Sequence, residues 1–396
     1  MSNHLRLLTA GESHGPQITA ILDGLPSGVE LDAERIAANM RRRQVGYGRG
    51  NRMKIESDEI EIRSGVRFGR TTGAPVTIVV PNRDHENWAH VLAVFGDPPS
   101  ERQRRVTRPR PGHADLVGML KYEHDDARDV LERASARETV ARVAAGELAR
   151  ALLGELGIET FSHVVSIGDV RAEVGDLAPD EIRTRAESND LRCVDSYDAM
   201  RAAIDAAGAE GDTLGGVFEV VVTGMPVGVG SSMAPDRKLD ARLAFALLSV
   251  PAVKGCEIGP AFENATRRGS AVHDEIFPRG DELPGRSSNR AGGLEGGMTT
   301  GEPLLCRGAM KPISTLKRAL ASVDMDTGAV KKAAFERSDV CAVPAAGVIG
   351  EAVVMLAVTD ALLGAFAADT VGALRASIEE RRASYRERWN RTRHGD

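Results

Sequence analysis

Lysine is scarce in this chain. Of its 51 basic residues only eight are lysines (Lys54, Lys121, Lys238, Lys254, Lys311, Lys317, Lys331 and Lys332), so arginine carries the positive charge. The net charge of −6 excludes a generic nucleic-acid binder, whose usual footprint is a basic domain. Aromatic residues make up 4% and there are two tryptophans, Trp88 and Trp389, which supplies stacking for single-stranded nucleic acid poorly. The four cysteines (Cys193, Cys256, Cys306 and Cys341) are far apart and form no C-x-x-C pair. Their spacing excludes a disulfide framework and a thiolate zinc site, and it suits a reducing cytosol. Long uninterrupted apolar runs are missing too. The most apolar stretch, 345–366, contains Glu351 and Asp360, carboxylates that are costly in lipid, so it is expected to be a buried helix of a soluble protein. Neither a charged-then-apolar leader nor a transit stretch precedes the patterned segment at Leu5, and the expected compartment is the cytoplasm. P-loop and EF-hand patterns are absent, and His85 and His90 lie one position too far apart for a zinc-protease helix, so no metal is expected.

What is present describes a globular chain. With 396 residues, 42% hydrophobic and 27% charged, it has the length of two to three average domains or one large one. No low-complexity linker or internal repeat divides it, and one unit over 1–396 is expected. Residues 5–10 and 17–22 read as strands joined by the turn Gly11-Glu12-Ser13-His14-Gly15-Pro16. Asp32 is placed to cap a helix over 33–44, followed by a glycine-broken loop. The alternating segments 54–66 and 74–80 read as antiparallel strands, and 81–112 as a long polar, functional loop. The clearest helical spacing runs over 127–156, which as one helix would be roughly 40 Å long. A peripheral helix over 195–208, a strand from Gly211, a helix near 239–248 and a charged C-terminal helix or tail over 375–396 complete the reading. Strands and helices come in blocks, which favours an α+β fold with antiparallel pairing over a βαβ array.

Several constellations carry chemistry. GESHG matches the G-x-S-x-G nucleophile elbow, but an elbow needs a helix after it, and here Pro16 and a second strand follow. His14 has small polar neighbours and the chemistry to exchange protons near neutral pH; a turn histidine satisfied by backbone explains it equally well. In Arg108-Pro109-Arg110-Pro111-Gly112-His113-Ala114-Asp115 two prolines stiffen a chain that carries two guanidiniums and an imidazole, an arrangement suited to a dianion such as phosphate. Arg43, Arg49 and Arg52 bracket the loop around Tyr47. Arg133 and Arg137 would share a helix face on either side of Ser135, and pairing each with a nearby Glu is the plainer reading. Lys311-Pro312-Ile313-Ser314-Thr315 reads as a helix start able to hold a phosphate, or as ordinary capping. Arg337 next to Asp339 would keep that carboxylate ionised as an acceptor or base.

Taken together and in order, GESHG, RRRQVGYGRGNRM, RPRPGHADLVG, ERASARET, NRAGGLEGGMTTGEP, MKPIST and RSDVCAVPAAG make the sequence resemble the chorismate synthase family from about Gly11 to Glu351. Thr300 and Ser287-Ser288 depart from the family's usual residues near the cofactor. The resemblance implies 1,4-anti elimination of phosphate and a ring hydrogen from 5-enolpyruvylshikimate 3-phosphate, with reduced FMN required and no net redox change. It implies an anion cage of Arg43, Arg49, Arg110, Arg137 and Arg337, with Ser13 and Ser135 as positioning groups. By the same resemblance His113 protonates the departing phosphate, His14 supplies a proton to the reduced flavin, and Asp339 assists flavin N5. FMN is expected against Arg133, Ala134, Ser135, Pro251, Ala252, Gly296, Lys311, Pro312, Ile313, Ser314, Thr315 and Arg337. Whether Arg43 and Arg49 also meet NADP stays open, and the chain's length, without obvious insertions, points to an external reductant. The implied fold is a β-α-β sandwich with helices between antiparallel sheets, assembled as a homotetramer. A serine hydrolase built on Ser13 and an arginine-rich nucleic-acid module are the alternatives from other classes.

Overall fold

The computed structural model describes residues 4–50, 58–96, 104–336 and 339–394. Two antiparallel sheets enclose a helical layer. In the first, β1 (Arg6–Ala10) pairs with β2 (Gln17–Asp23), and β2 pairs in turn with the later strand Val76–Pro81 (β4), flanked by the short edge strand β3 (Glu61–Ile62). The two-residue period of a strand explains why Ile18, Ala20 and Leu22 are buried while Gln17 and Ile21 face outward. The second sheet runs β8 (Val253–Ile258), β9 (Leu304–Met310), β7 (Gly216–Thr223), β5 (Glu159–Ile167) and β6 (Val170–Arg171), each neighbour antiparallel.

Between the sheets lie α1 (Ala33–Gln44), α2 (Thr139–Glu155) and α4 (Val343–Ala365), with α3 (Leu239–Leu248) packed beside α4. Helix α1 is bounded as its sequence demands. The Asp32 carboxylate accepts from the N–H groups of Glu34 (2.9 Å) and Arg35 (3.1 Å), and Arg41, Arg42 and Arg43 occupy the last turn, where cations complement the helix dipole. Helix α4 is apolar on every side and is the buried helix expected from its composition; it alone among the described helices is long and apolar enough to cross a membrane, and 89% of its apolar window is buried within the fold.

Its two interrupting carboxylates are both paired. Glu351, fully buried, receives hydrogen bonds from Arg42 (2.8 and 2.9 Å), Arg150 (2.6 Å), Arg192 (3.2 Å) and Ser162 (2.7 Å). Asp360 accepts from the Leu5 N–H (2.8 Å) and pairs with Arg242.

Glycines set the spacing of this layer. A Cβ on Gly350 would lie 2.5 Å from Phe218 Cε2 and 3.1 Å from Val220 Cγ2, and a Cβ on Gly308 would lie 2.4 Å from the same phenyl ring. Phe218 therefore fills the space that two glycines leave, one in the helix and one on the neighbouring strand. Gly350→Ala should overpack this contact and lower stability by about 1–3 kcal/mol. A chemical denaturation midpoint equal to that of the parent protein would contradict this packing.

Two elements differ from the sequence reading. Residues 127–156 do not form one helix: a short helix, Arg128–Leu131, is followed by a 3₁₀ turn, Ala136–Glu138, before α2 begins. Ser135 makes the break. Its backbone is extended (φ −64°, ψ 143°), its Oγ accepts from the Arg137 N–H (3.3 Å), and its hydroxyl donates to Ser13 Oγ (3.2 Å). Arg133 and Arg137 consequently share no helix face. Residues 311–315 are not a helix start either. After β9 the chain stays irregular, tied by Lys311 N–H to the Ala252 carbonyl (2.9 Å) and by Thr213 Oγ1 to the Ile313 carbonyl (2.8 Å), while Pro312 offers no N–H. The C-terminal segment is a helix, α5 (Val371–His394).

Candidate active site

The breaks and turns of this frame converge on one cavity of about 1350 Å³. The β1–β2 turn brings Ser13 and His14, the end of α1 brings Arg43 and Arg49, and the interrupted helix brings Ala134, Ser135 and Arg137. The polar segment after β4 adds Trp88, Arg104, Arg110 and His113; the chain after α3 adds Pro251 and Ala252; the chain after β9 adds Lys311, Ile313, Ser314 and Thr315; and Asp339 stands at the entry to α4. Arg133, Gly296 and Pro312 are not among the lining residues, and Arg337 and Arg52 lie outside the described residues. The Arg133 guanidinium turns instead to the Thr9 carbonyl (3.1 Å) and Thr9 Oγ1 (2.7 Å), and it reaches Glu138 only at 3.9 Å.

The GESHG turn owes its first glycine to the backbone rather than to a nucleophile. Gly11 has φ 111°, and a Cβ there would stand 2.3 Å from the Gln17 carbonyl oxygen. The turn joins strand to strand, the opposite of the strand-to-helix elbow of a serine hydrolase.

Four arginines of the cavity have an acidic counterpart behind them. Asp58 sits between Arg43 Nη1 (2.6 Å) and Arg137 Nη1, while Arg43 also donates to Thr139 Oγ1 (3.2 Å) and Arg137 to Asn82 Oδ1 (3.0 Å). Burial holds the Arg43 guanidinium below its ordinary value despite Asp58, a group withdrawn from water and ready for an anion. Arg49 pairs with Asp339 (2.8 Å), whose other oxygen accepts from the Gly50 N–H (2.6 Å). Arg110 donates to Asp115 through Nε (2.8 Å) and Nη2 (3.1 Å) and to Thr315 Oγ1 (3.0 Å).

The imidazoles are anchored in the same way. His113 Nδ1 bonds the fully buried Asp115 carboxylate. Burial alone would raise that carboxyl, but the bonds from His113 and Arg110 hold it well below the usual carboxylate range, so Asp115 is ionised and Nδ1 carries the proton. His14 Nδ1 lies 2.9 and 3.0 Å from the Glu132 oxygens, and its ring stacks on Trp88 at a centroid distance of 4.0 Å. Both rings thus commit one nitrogen to a carboxylate and leave Nε2 for a ligand. Asp58, Asp115, Glu132 and Trp88 were not assigned roles from the sequence. Asp115 lies within the quoted string RPRPGHADLVG and Glu132 opens the quoted string ERASARET, whereas nothing local in the sequence marks Asp58.

The lining divides chemically. Val250, Pro251, Ala252, Ala345, Ala346 and Ile349 form an apolar wall, and Lys311, Ser314, Thr315 and the guanidiniums form a cationic, hydroxyl-bearing one. Ala252 holds φ 68°, a left-handed conformation that costs a non-glycine residue roughly 1–2 kcal/mol and is sustained by its bond from the Lys311 N–H. A planar ring carrying a phosphate fits such a pair of walls, and the volume exceeds the roughly 300–1,000 Å³ typical of a single small-molecule pocket.

Comparison with known proteins agrees with this chemistry. A family model described as chorismate synthase matches residues 5–363. The chorismate synthase of Geobacillus thermodenitrificans (strain NG80-2) is 53% identical over 387 residues, covering 97% of this chain and 100% of its own length. Chorismate synthase 2 of Bacillus cereus (strain ATCC 14579) is 52% identical over 382 residues, with 94% and 97% covered. A crystal structure of chorismate synthase superposes with a TM-score of 0.78 at 38% identity, over 97% of this chain and 98% of that one.

Proposed function

This chain belongs to the chorismate synthase family, and on that premise we propose that the cavity described above is where its reaction takes place. The reaction is the family's: 5-enolpyruvylshikimate 3-phosphate loses phosphate and a ring hydrogen by 1,4-anti elimination to give chorismate, the final step of the shikimate pathway. The observation that carries the assignment is the convergence of five guanidiniums, four of them paired with carboxylates, and two carboxylate-backed imidazoles on one cavity.

The substrate brings a phosphate and two carboxylates. Arg43, Arg49, Arg110 and Arg137 hold these anions, and because Asp58, Asp339 and Asp115 already fix the guanidiniums, little reorganisation is needed when charge grows on the departing phosphate. His113, as an imidazolium whose Nδ1–H is held by Asp115, delivers its Nε2 proton to that phosphate. Ser13 and Ser135, linked through their hydroxyls, position the ring of the substrate. Asp339 presents a fixed carboxylate as an acceptor, and His14, as an imidazolium with its Nδ1–H on Glu132, offers its Nε2 proton to the cavity.

Reduced FMN, when bound, supplies the electronic assistance to C–O cleavage that side chains lack, with no net redox change. Ala134, Ser135, Pro251, Ala252, Ile313, Ser314, Thr315 and Lys311 are the residues suited to hold it, the last three at its phosphate. Its reduction is assigned to an external reductant. One catalytic unit over 1–396, working as a soluble cytoplasmic homotetramer, completes the proposal. Leu116, Val117 and Leu120, 41–69% exposed on one helix, favour an assembled state.

The assay is anaerobic release of phosphate from the enolpyruvyl substrate with and without reduced FMN, and with and without NADPH. Release that depends on reduced FMN is the expected result. An equal rate without flavin would refute the proposal.

A further inference from the structure

The His14 ring is held more completely than a turn histidine needs. Both Glu132 oxygens lie within 3.0 Å of Nδ1, and one of them also accepts from the backbone N–H of His14 (2.9 Å). Behind Glu132, Arg128 donates to its Oε1 (3.0 Å) and reaches Glu336 (3.2 Å). One face of the imidazole lies on Trp88, whose ring also carries Arg104 (3.9 Å) and Arg128 (4.9 Å), and the Trp88 Nε1–H is tied to Asp84 (3.1 Å). His85 Nδ1–H donates to the His14 carbonyl (3.0 Å). Glu132 is almost fully buried and lies 118 positions away in the chain.

We propose that Glu132 is a positioning residue for His14: as an ionised acceptor it accepts the hydrogen bond from Nδ1–H, fixes the ring's tautomer and plane, and so dedicates Nε2 to the molecules bound in the cavity.

The inference rests on the reading of the cavity as the reaction site, and its internal logic is hydrogen-bond bookkeeping. Burial pushes the Glu132 carboxyl up, but the bonds and charge of His14, with Arg128 behind, bring it below the ordinary range, so it has no proton to give. An ionised carboxylate only accepts, so the shared hydrogen belongs to the ring. Glu132→Gln keeps the shape but offers an amide N–H, which can donate to Nδ1 and let the proton move to Nε2. A comparable carboxylate-to-amide change behind a catalytic imidazole costs about 10⁴-fold in turnover in a serine protease, through the wrong tautomer.

The test reads the tautomer directly. In flavin-free protein labelled with ¹⁵N-histidine, at a pH where the ring is neutral, His14 should show a protonated Nδ1 and a bare Nε2. Glu132→Gln should populate the Nε2–H form and lower kcat by about 10²-fold or more while KM holds, since the residue touches no substrate. A neutral His14 protonated on Nε2 in the parent protein overturns the proposal, and so does Glu132→Gln with unchanged kcat. Should Glu132→Gln fail to fold, the parent spectrum alone decides. Flavin-dependent phosphate release by the parent protein is a separate measurement, so loss of the functional reading and loss of this inference cannot be confused.

Discussion

Replacing His113 with alanine is expected to slow turnover by about 10²–10⁴-fold, the usual worth of one general acid. The expectation follows from how the ring is held. With Nδ1 bound to Asp115 and Asp115 gripped by Arg110, the imidazole has one orientation and one available nitrogen, at the wall where the arginines converge. Alanine removes the proton donor but leaves Arg110 paired with Asp115 and Thr315, so substrate binding should survive. The loss should accordingly appear in kcat rather than KM. Steady-state kinetics with saturating reduced FMN checks it, and near-normal turnover would remove His113 from the chemistry.

The largest effect on stability should come from Glu351→Gln. The carboxylate, on α4 where it meets α1 and α2, is fully buried and is the shared partner of Arg42, Arg150 and Arg192. Removing its charge leaves three clustered guanidiniums with only Glu147 beside Arg150 (3.1 Å) and Glu187 near Arg42 (3.5 Å) to offset their repulsion, and breaking a buried pair this way costs roughly 3–5 kcal/mol. The same cluster fixes a pH dependence. Burial raises the Glu351 carboxyl, but the three arginines outweigh it and hold the group well below the ordinary carboxylate range. A carboxyl whose folded-state pKa is depressed stabilises the fold fully above its unfolded value, near 4.3, and loses that contribution as the pH falls toward the folded value. The parent protein should therefore lose stability on acidification below about pH 4.3 more steeply than Glu351→Gln. Thermal melts of both from pH 7 to pH 3 make the comparison, and parallel curves would contradict the role given to this cluster.

Features with local causes were legible in the sequence. The Asp32 cap, the alternation of Gln17–Asp23 and the apolar run of Val343–Ala365 each contain their own explanation within a few residues. Residue types at the site were legible too, as arginine clusters, two histidines and a phosphate-suited lysine and hydroxyl segment. Partnerships were not. The triplet Arg41-Arg42-Arg43 looks uniform, yet the turn of roughly 100° per residue sends Arg43 to the cavity and Arg42 to Glu351, and leaves Arg41 exposed. The break at Ser135 interrupts the helical periodicity through an extended backbone capped by a local bond from the Arg137 N–H and tied to a hydroxyl 122 positions away. Asp58 and Glu132 acquire their roles only when the chain brings them to Arg137 and His14, at separations of 79 and 118 residues. The resemblance puts Arg133 at the cofactor, while its guanidinium bonds Thr9, a partner 124 positions away that no local pattern shows.

The most direct measurement is a crystal structure of the protein with oxidised FMN and 5-enolpyruvylshikimate 3-phosphate bound together. The account predicts the substrate's phosphate within hydrogen-bond reach of His113 Nε2 and bracketed by guanidiniums, with the flavin ring against the Pro251–Ala252 wall and His14 Nε2 directed at it. A complex in which both imidazoles lie beyond reach of the phosphate and of the flavin would contradict it.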